Sequence, residues 1–398
     1  MLSSAQPAAA AARPERLPAV LWPLLFGNFV IGSGVMVVPG ALNDISGSLQ
    51  ISVATAGQLI TAAALMMCAG APLFAAVVAG WDRRRLLALS MAWYGLFHLA
   101  CTLAPSFAVL LPLRVLAVIP PAIFTPQAAA CVGLLVAPEQ RGRAITFVFL
   151  GWSIASVLGL PMGAYVGGTL GWRSAFALVG VMSLVSALWV WRRMPDGVKP
   201  PALSMAAWGE TFRSGALMLC VGVTVLYSAG QFVQLSYMAP YFKAKIGITP
   251  GQLGLLFMWF GVFGFIGNMV MSRHIDRIGA SRAVMIGVVG MAITMLAFPL
   301  ATSLALAAAI VIPWGLGCFS SNSAQQARLV GIAPPLASAS IALNSSAMYA
   351  GQALGAASGG ALIAQGSMDS LSRVGFAILI AAMALSAWAS TFRHRTRT

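Results

Sequence analysis

Two loops combine a carboxylate with arginines, one around Asp82 and the other around Asp276. The residues concerned are Asp82, Arg83, Arg84, Arg85, Asp276, Arg277, Gly279 and Arg282. Guanidinium groups donate paired hydrogen bonds to carboxylates and also bind the carbonyls at helix ends, so these loops could form a latch that opens and closes. The alternative is that they are solvated loop charges that only orient the chain.

The remaining reactive side chains give no catalytic or metal-binding pattern. The three histidines, His98, His274 and His394, lack zinc-ligand spacing, and the five cysteines form no Cys-x-x-Cys pair. No phosphate-binding loop of the G-x-x-x-x-G-K-[ST] type occurs. We therefore predict no enzyme activity, no cofactor and no metal.

The composition excludes a soluble protein. Of 398 residues, 60% are hydrophobic and 8% are charged, and the mean hydropathy is +0.89. So few charges cannot cover a soluble globule of this size, whereas lipid can solvate the apolar surface. The formal net charge of +15 indicates membrane topology and attraction to anionic lipid rather than binding to nucleic acid.

Apolar runs predict an all-α integral membrane protein with twelve transmembrane helices. A span needs about 20 apolar residues, and the runs do not alternate in polarity as barrel strands do. The predicted spans are 21–42, 54–79, 86–104, 107–135, 144–170, 174–193, 214–238, 252–273, 283–303, 304–323, 338–364 and 374–391. Among the basic residues in the connections, only Arg173, Lys243, Lys245 and Arg373 fall on one side. By the positive-inside rule, both termini are predicted to be cytoplasmic.

An internal repeat divides the chain into two parallel halves. Asp82 and Asp276 are 194 residues apart, and four glycines from Gly159 to Gly168 recur 192 residues later, from Gly351 to Gly360. Parallel six-helix repeats predict a substrate path at their interface near the middle of the bilayer. The predicted units are a cytoplasmic N-terminal segment, two six-helix bundles joined by a cytoplasmic linker, and a basic tail: 1–20, 21–193, 194–213, 214–391 and 392–398.

The fifth predicted helix is rich in glycine and contains a proline. The residues are Gly151, Gly159, Pro161, Gly163, Gly167 and Gly168. Glycines spaced by four allow a neighbouring helix to approach backbone to backbone, and Pro161 removes a hydrogen bond and permits a bend. Ordinary packing of small residues could explain the glycines alone.

These motifs resemble the major facilitator superfamily, and within it the twelve-helix efflux group of drug:proton antiporters and sugar or arabinose efflux permeases. Residues 80–85 resemble the family's G-x-x-x-D-R-x-G-R-R loop in compressed form, and residues 272–282 keep its D-R-x-G-x-x-R spacing. The fifth helix resembles the antiporter motif of exporters, with Leu160 where the full pattern has glycine. The resemblance implies a monomeric exporter of the bacterial inner membrane, driven by protons.

Arg114 is the one charged residue that falls well inside a predicted span. The resemblance links a basic residue in this helix to proton transfer, in an R-x-x-x-G motif whose glycine is Val118 here. An arginine cannot relay a proton itself but can act on a nearby carboxylate. The closest candidate is Asp44, so we predict that Asp44 and Arg114 couple transport to protons. The alternative is an arginine that snorkels to the surface.

Polar side chains within the spans mark a candidate substrate cavity, because polar groups facing lipid are costly. They are Asn28, Gln58, Gln127, Gln231, Gln234, Tyr237, Asn268, Asn344 and Gln352. Amides without buried acids suit a small uncharged solute, such as a sugar or an uncharged drug, although hydrogen bonding between helices could also explain them. Export is the leading prediction. Import by the same fold, or a non-transporting membrane sensor or enzyme, remains an alternative.

Overall fold

The computed structural model describes residues 18–78, 80–137, 140–199 and 205–395. Most of the predicted N-terminal segment, part of the linker and the end of the basic tail therefore lie outside the described residues. Across the described ranges the regular structure is helical throughout. The helices are α1 (Leu21–Ser48), α2 (Val53–Val77), α3 (Arg83–Thr102), α4 (Phe107–Ala117), α5 (Ile119–Leu135), α6 (Arg141–Leu170), α7 (Trp172–Arg193), α8 (Met205–Arg213), α9 (Gly215–Leu235), α10 (Met238–Ile246), α11 (Pro250–Ile278), α12 (Ala280–Ala297), α13 (Leu304–Ile332), α14 (Ala337–Ala364) and α15 (Ser370–Arg395).

Ten helical segments in these ranges are long and apolar enough to cross a membrane. In this set α4 and α5 count as one span, and α9 and α10 as another. The two remaining long helices are α3, which begins with three arginines, and α14, which is rich in alanine, serine and glycine. Both pack lengthwise against spans, α3 against α7 and α14 against α9 and α2. The all-α membrane fold is confirmed, and the arrangement is consistent with twelve spans.

Two predicted spans are interrupted, and the linker contains a helix that the apolar pattern does not predict. The break between α4 and α5 falls at Val118, immediately before Ile119-Pro120-Pro121, because consecutive prolines lack the N–H groups that would continue the helix. The chain bends again at Ser236 and Tyr237, between α9 and α10. The short helix α8 in the linker stacks Trp208 on Phe212.

Glycines on α6 and α14 pack the two halves in the same way. A Cβ added at Gly163 would lie 2.6 Å from the carbonyl oxygen of Val37 on α1. At Gly355, 192 residues after Gly163, it would overlap the carbonyl oxygen of Ala229 on α9, and Ala229 itself lies 192 residues after Val37. The sequence repeat is thus also a repeat of backbone contacts, which supports two parallel halves.

The apolar core joins the halves at one end of the bundle. The largest cluster of buried hydrophobic residues contains Val38, Ile45 and Leu59 from the first half together with Tyr237 and Phe257 from the second. We call the helix ends near these residues the sealed face. The opposite ends carry most of the loop arginines, and we call them the arginine-rich face.

At the arginine-rich face each half keeps a cluster of its own. One contains Leu21, Leu87 and Val190 of the first half, and the other contains Leu217 and Leu329 of the second. Among the described residues, the packing that unites the two halves is therefore concentrated toward the sealed face.

Candidate transport path and gates

The sealed face is closed by close contacts between the halves. A side chain at Gly57 on α2 would overlap the hydroxyl of Tyr237, which donates a 2.8 Å hydrogen bond to the carbonyl of Ala356 on α14. A Cβ at Gly168 on α6 would lie 2.6 Å from Pro250 at the start of α11. Tyr237, one of the predicted cavity residues, thus lies in the seal between the halves.

Helix α6 lies between its own half and the other. Gly151, Gly159, Gly163 and Gly167 face α1, where added Cβ atoms would contact or overlap backbone or Cβ atoms of Leu25, Ser33, Val37 and Ala41. The other side of α6 faces α11, so that a Cβ at Gly261 would lie 2.5 Å from the carbonyl oxygen of Ser156. The carbonyl of Pro161 lies opposite Gly254. The glycine-rich helix therefore bridges α1 and the second half.

At the arginine-rich face the loop between α2 and α3 holds the chain that follows α7. Asp82 accepts hydrogen bonds from the backbone N–H groups of Arg85, at 3.2 Å, and Gly197, at 2.6 Å. Arg84 forms a 2.6 Å ion pair with Asp196. Arg83 is buried and donates to the carbonyls of Val78 and Trp81. These groups secure the start of the linker.

The second loop is more open. Asp276, Arg277 and Arg282 are exposed. Gly279 ends α11 with φ of 84°, a left-handed conformation that favours glycine, and its N–H donates to Ile275. The two loops share a sequence spacing, but the structure gives them different surroundings.

Arg114 and Asp44 are not brought together. Arg114 is 1% exposed, and its Nη2 donates to the carbonyl of Gly34 at 2.8 Å while its Nη1 lies 3.0 Å from Nε2 of His98. Asp44 accepts a short hydrogen bond from the backbone N–H of Trp172, at the start of α7. Because Gly34 and Asp44 are ten residues apart on α1, they are separated by about 15 Å along the helix. In this conformation Asp44 therefore stabilises a helix end.

His98 is the site residue that the sequence analysis missed. It is fully buried, and its Nδ1 lies 2.8 Å from the carbonyl of Tyr94, one turn earlier on α3. The signal available in the sequence is an ionisable residue inside an apolar span, which is a reason by itself to suspect function. Metal-ligand spacing does not reveal a histidine whose partner is an arginine on another helix.

In the second half, two amides on α9 are buried. Gln231 accepts hydrogen bonds through Oε1 from Trp314 and Cys318, while its Nε2 is buried without a partner. Both polar atoms of the Gln234 side chain are buried without a partner. Buried amides that lack partners carry a desolvation penalty, which a hydrogen-bonding solute would relieve.

The other predicted cavity residues fall into three groups. Asn28 and Asn344 are buried and bridge helices, through Thr125 and Val148 in the first case and through Thr224 and Asn322 in the second. Gln58 is exposed, and Gln127 is partly buried. Asn268 has a buried Oδ1 without a partner, whereas Gln352 is 6% exposed. The structure does not gather all nine residues around one space.

The described residues contain no group of three His, Cys, Asp or Glu side chains that could hold a metal ion. Within those ranges no disulfide bond joins any of the five cysteines.

The sequence model of the Major Facilitator Superfamily matches residues 24–242 and again 220–398. The chain belongs to the major facilitator superfamily. The overlapping matches cover nearly the whole chain, in agreement with the helical repeat. This membership makes the protein a multi-pass membrane transporter rather than a member of a known enzyme class.

Relatives in this superfamily match along most of the chain. The chain is 24% identical over 362 residues to the uncharacterized MFS-type transporter YbcL of Bacillus subtilis, which covers 90% of this chain and 92% of that protein. It is 28% identical over 349 residues to the inner membrane transport protein YdhP of Escherichia coli, covering 86% of this chain and 88% of the relative.

Solved structures of superfamily members have the same fold. A bacterial homologue of the human lysosomal transporter Spinster, in an inward-facing and unoccupied conformation, has a TM-score of 0.71 at 18% identity and covers 94% of this chain and 95% of its own. The D-xylose–proton symporter has a TM-score of 0.74 at 16% identity, with 92% and 96% covered. At this low sequence identity the similarities show a common fold and nothing more specific.

Proposed function

We propose that this superfamily member exports a small uncharged organic solute in exchange for protons, by alternating access. The observation that carries the proposal is the shared apolar core, which joins the halves toward the sealed face, while separate clusters form at the arginine-rich face. In our proposal the halves are therefore closed at the sealed face and open at the arginine-rich face. Rocking the halves about their interface would open the other side.

The distribution of arginines supports a cytoplasmic location for the open side. Basic loops remain on the cytoplasmic side during insertion, so the arginine-rich face is cytoplasmic in our proposal, with both termini there. The sealed face is then the outer one. The inner-membrane relative from E. coli supports the bacterial inner membrane as the location, and we propose that the protein works there as a monomer.

Helix α6 supports export over import. Its pattern of four glycines and Pro161 resembles that of exporters, and it is the helix that contacts α1 through one side and α11 through the other. A helix in this position can transmit the opening of one face to the closing of the other. We propose that the Asp82 loop and its Asp276 copy are the latches of this movement.

The proposed substrate class is based on the amides of α9. Nε2 of Gln231 and both polar atoms of the Gln234 side chain are buried without partners, and Gln231 also contacts the indole of Trp314. The described acids all lie in connections or near helix ends. A hydrogen-bonding solute without charge, such as a sugar or a polar uncharged drug, fits this chemistry better than a cation does.

The proposal can be tested in everted membrane vesicles with a panel of labelled compounds: L-arabinose, isopropyl thiogalactoside, ethidium and tetraphenylphosphonium. We expect chain-dependent accumulation of an uncharged compound, and we expect an uncoupler to abolish it. Uptake into right-side-out vesicles driven by an inward proton gradient would instead identify an importer. Accumulation that survives the uncoupler for every transported compound would exclude proton antiport.

A further inference from the structure

A histidine and an arginine share a hydrogen bond inside the first half. Nη1 of Arg114 on α4 lies 3.0 Å from Nε2 of His98 on α3. His98 is 0% exposed and Arg114 is 1% exposed. His98 precedes the end of α3 by four residues, or about 6 Å of helix rise, and therefore lies just behind the sealed face.

The geometry defines the protonation state of His98 in this conformation. A guanidinium can only donate hydrogen bonds, so Nε2 of His98 must accept, and its lone pair is occupied. The ring proton is then on Nδ1 and is donated to the carbonyl of Tyr94 at 2.8 Å. A proton can reach Nε2 only when Arg114 has moved away, since an imidazolium has no acceptor to offer.

Among the residues that the structure describes, the groups around His98 do not include a carboxylate. Its own helix supplies Tyr94, whose ring lies 4.2 Å away in an edge contact, and α7 supplies the ring of Phe176 at 5.7 Å. Helix α1 contributes the Gly34 carbonyl, which binds the same arginine. The second half contributes Tyr349 on α14, which packs against a hydrophobic cluster that contains Val35 and Val118 of the first half.

The thiol of Cys101 is buried one turn after His98. The described carboxylates lie elsewhere, and the one on α1, Asp44, is bound to Trp172. Arg114 and Cys101 are thus the titratable neighbours of His98 besides the two tyrosines. Arg114 is the only one of them that is charged near neutral pH.

We propose that His98 is the proton-binding group of this transporter and that Arg114 keeps it neutral while the sealed face is closed. The inference rests on the proposed proton-coupled transport. When the outer ends separate, Tyr349 of the second half withdraws from Val35 and Val118, beside Gly34 and one turn after Arg114. Arg114 then leaves Nε2, and the ring takes a proton from outer water, gaining one positive charge. When the outer ends close again, Arg114 returns to Nε2 and the proton leaves toward the cytoplasmic side.

The proton itself is the probe for a test that needs no substrate. The full chain, labelled with nitrogen-15 in histidine and placed in lipid bilayers, is titrated from pH 5 to pH 8 by NMR of the ring nitrogens. His274 is the internal reference, because its Nδ1 also lies 2.9 Å from a carbonyl one turn earlier, that of Val270, but the side chain is exposed. The chain has three histidines, and His98→Gln identifies the His98 signals by their loss while keeping an acceptor for Arg114.

The sealed face is opened in the same experiment by Gly57→Trp, since no side chain fits there against Tyr237. We expect His98 to stay neutral, with its proton on Nδ1, throughout the titration of the wild-type chain. In Gly57→Trp it should become an imidazolium toward the acidic end of this range. A His98 that stays neutral from pH 5 to pH 8 in Gly57→Trp would overturn the proposal.

Transport by His98→Gln separates this inference from the proposed function. In the everted vesicles, His98→Gln should still exchange labelled for unlabelled solute, but its uncoupler-sensitive accumulation should be at least tenfold lower than that of the wild type. His274→Gln should behave as the wild type. If His98→Gln keeps full uncoupler-sensitive accumulation, His98 only positions Arg114 and our inference is wrong. If wild-type accumulation is insensitive to the uncoupler, the proposed proton antiport fails instead, whatever the NMR titration shows.

Discussion

The carboxylate of Asp82 accepts a 2.6 Å hydrogen bond from the backbone N–H of Gly197, 115 residues later in the chain. It thereby ties the loop between α2 and α3 to the start of the linker, and it also caps α3 through Arg85. A single carboxylate thus supports both a helix end and the connection between the halves.

Asp82→Ala should lower the stability of the chain. Loss of the helix cap alone costs about 1 kcal/mol, and the N–H of Gly197 also loses its acceptor. The apparent melting temperature in detergent should fall by several degrees. Asp276→Ala is the matched control at the repeat position, where the side chain is exposed, and its effect should stay within about 0.5 kcal/mol. Equal losses in the two variants would contradict the role assigned to Asp82.

Gly57→Trp should shift the population toward molecules that are open at the sealed face. An indole cannot occupy the space of the Tyr237 hydroxyl, so the closed arrangement becomes strained. The measurement is the labelling rate of a cysteine that replaces Leu253, 4% exposed in the core of the sealed face, by a membrane-impermeant maleimide, and it should rise at least severalfold. Gly251→Trp is the control, because no atom lies within 4 Å of a Cβ at that glycine. Similar labelling in both backgrounds would show that the contact does not close this face.

Gly163→Ala should destabilise the first half. Its Cβ would lie 2.6 Å from the carbonyl of Val37, and overpacking of this kind typically costs about 1–3 kcal/mol. Gly355→Ala should do the same in the second half, since the backbone contact is repeated there. Gly209→Ala on α8 has open space around it and should be neutral or slightly stabilising. Thermal unfolding of the three variants is the measurement, and an unchanged melting temperature for Gly163→Ala would contradict the tight packing of α6 on α1.

Gln234→Leu should separate function from stability. Removing a buried amide whose two polar atoms have no partner is expected to leave the melting temperature unchanged or to raise it. Transport of a hydrogen-bonding solute should fall by at least tenfold, because the solute loses its donor and acceptor. Asn344→Leu is the contrast: Thr224 loses its 2.6 Å acceptor and keeps only the 3.4 Å bond to the carbonyl of Cys220, so stability should fall. A Gln234→Leu variant with normal transport would remove this residue from the proposed binding site.

The helices can be predicted from the sequence because a membrane span requires a long apolar run. The interruption at Val118 is also readable in principle, since Pro120 and Pro121 follow it. Other features depend on which helices become neighbours. The amide N–H of Trp172 reaches Asp44 from 128 residues away, so nothing local in the sequence shows that this carboxylate is already occupied.

The pairing of His98 with Arg114 was not predictable for the same reason. Each residue has unremarkable neighbours in its own helix, and the pair forms only because α3 and α4 pack together. The repeat also misleads in one respect. Asp82 and Asp276 have the same spacing to a following arginine. Among the described loops, however, only the one at Gly197 donates a hydrogen bond to such a carboxylate, that of Asp82, whereas Asp276 is exposed.

The location of all the described acids in connections or near helix ends has an electrical consequence. A path without acids favours an uncharged solute, so the proton is the only charge that the proposed exchange carries across the bilayer. Each cycle then moves one elementary charge across the bilayer, so the exchange is electrogenic. A membrane potential of 100 mV would add about 2.3 kcal/mol to its driving force, even where the pH is the same on both sides.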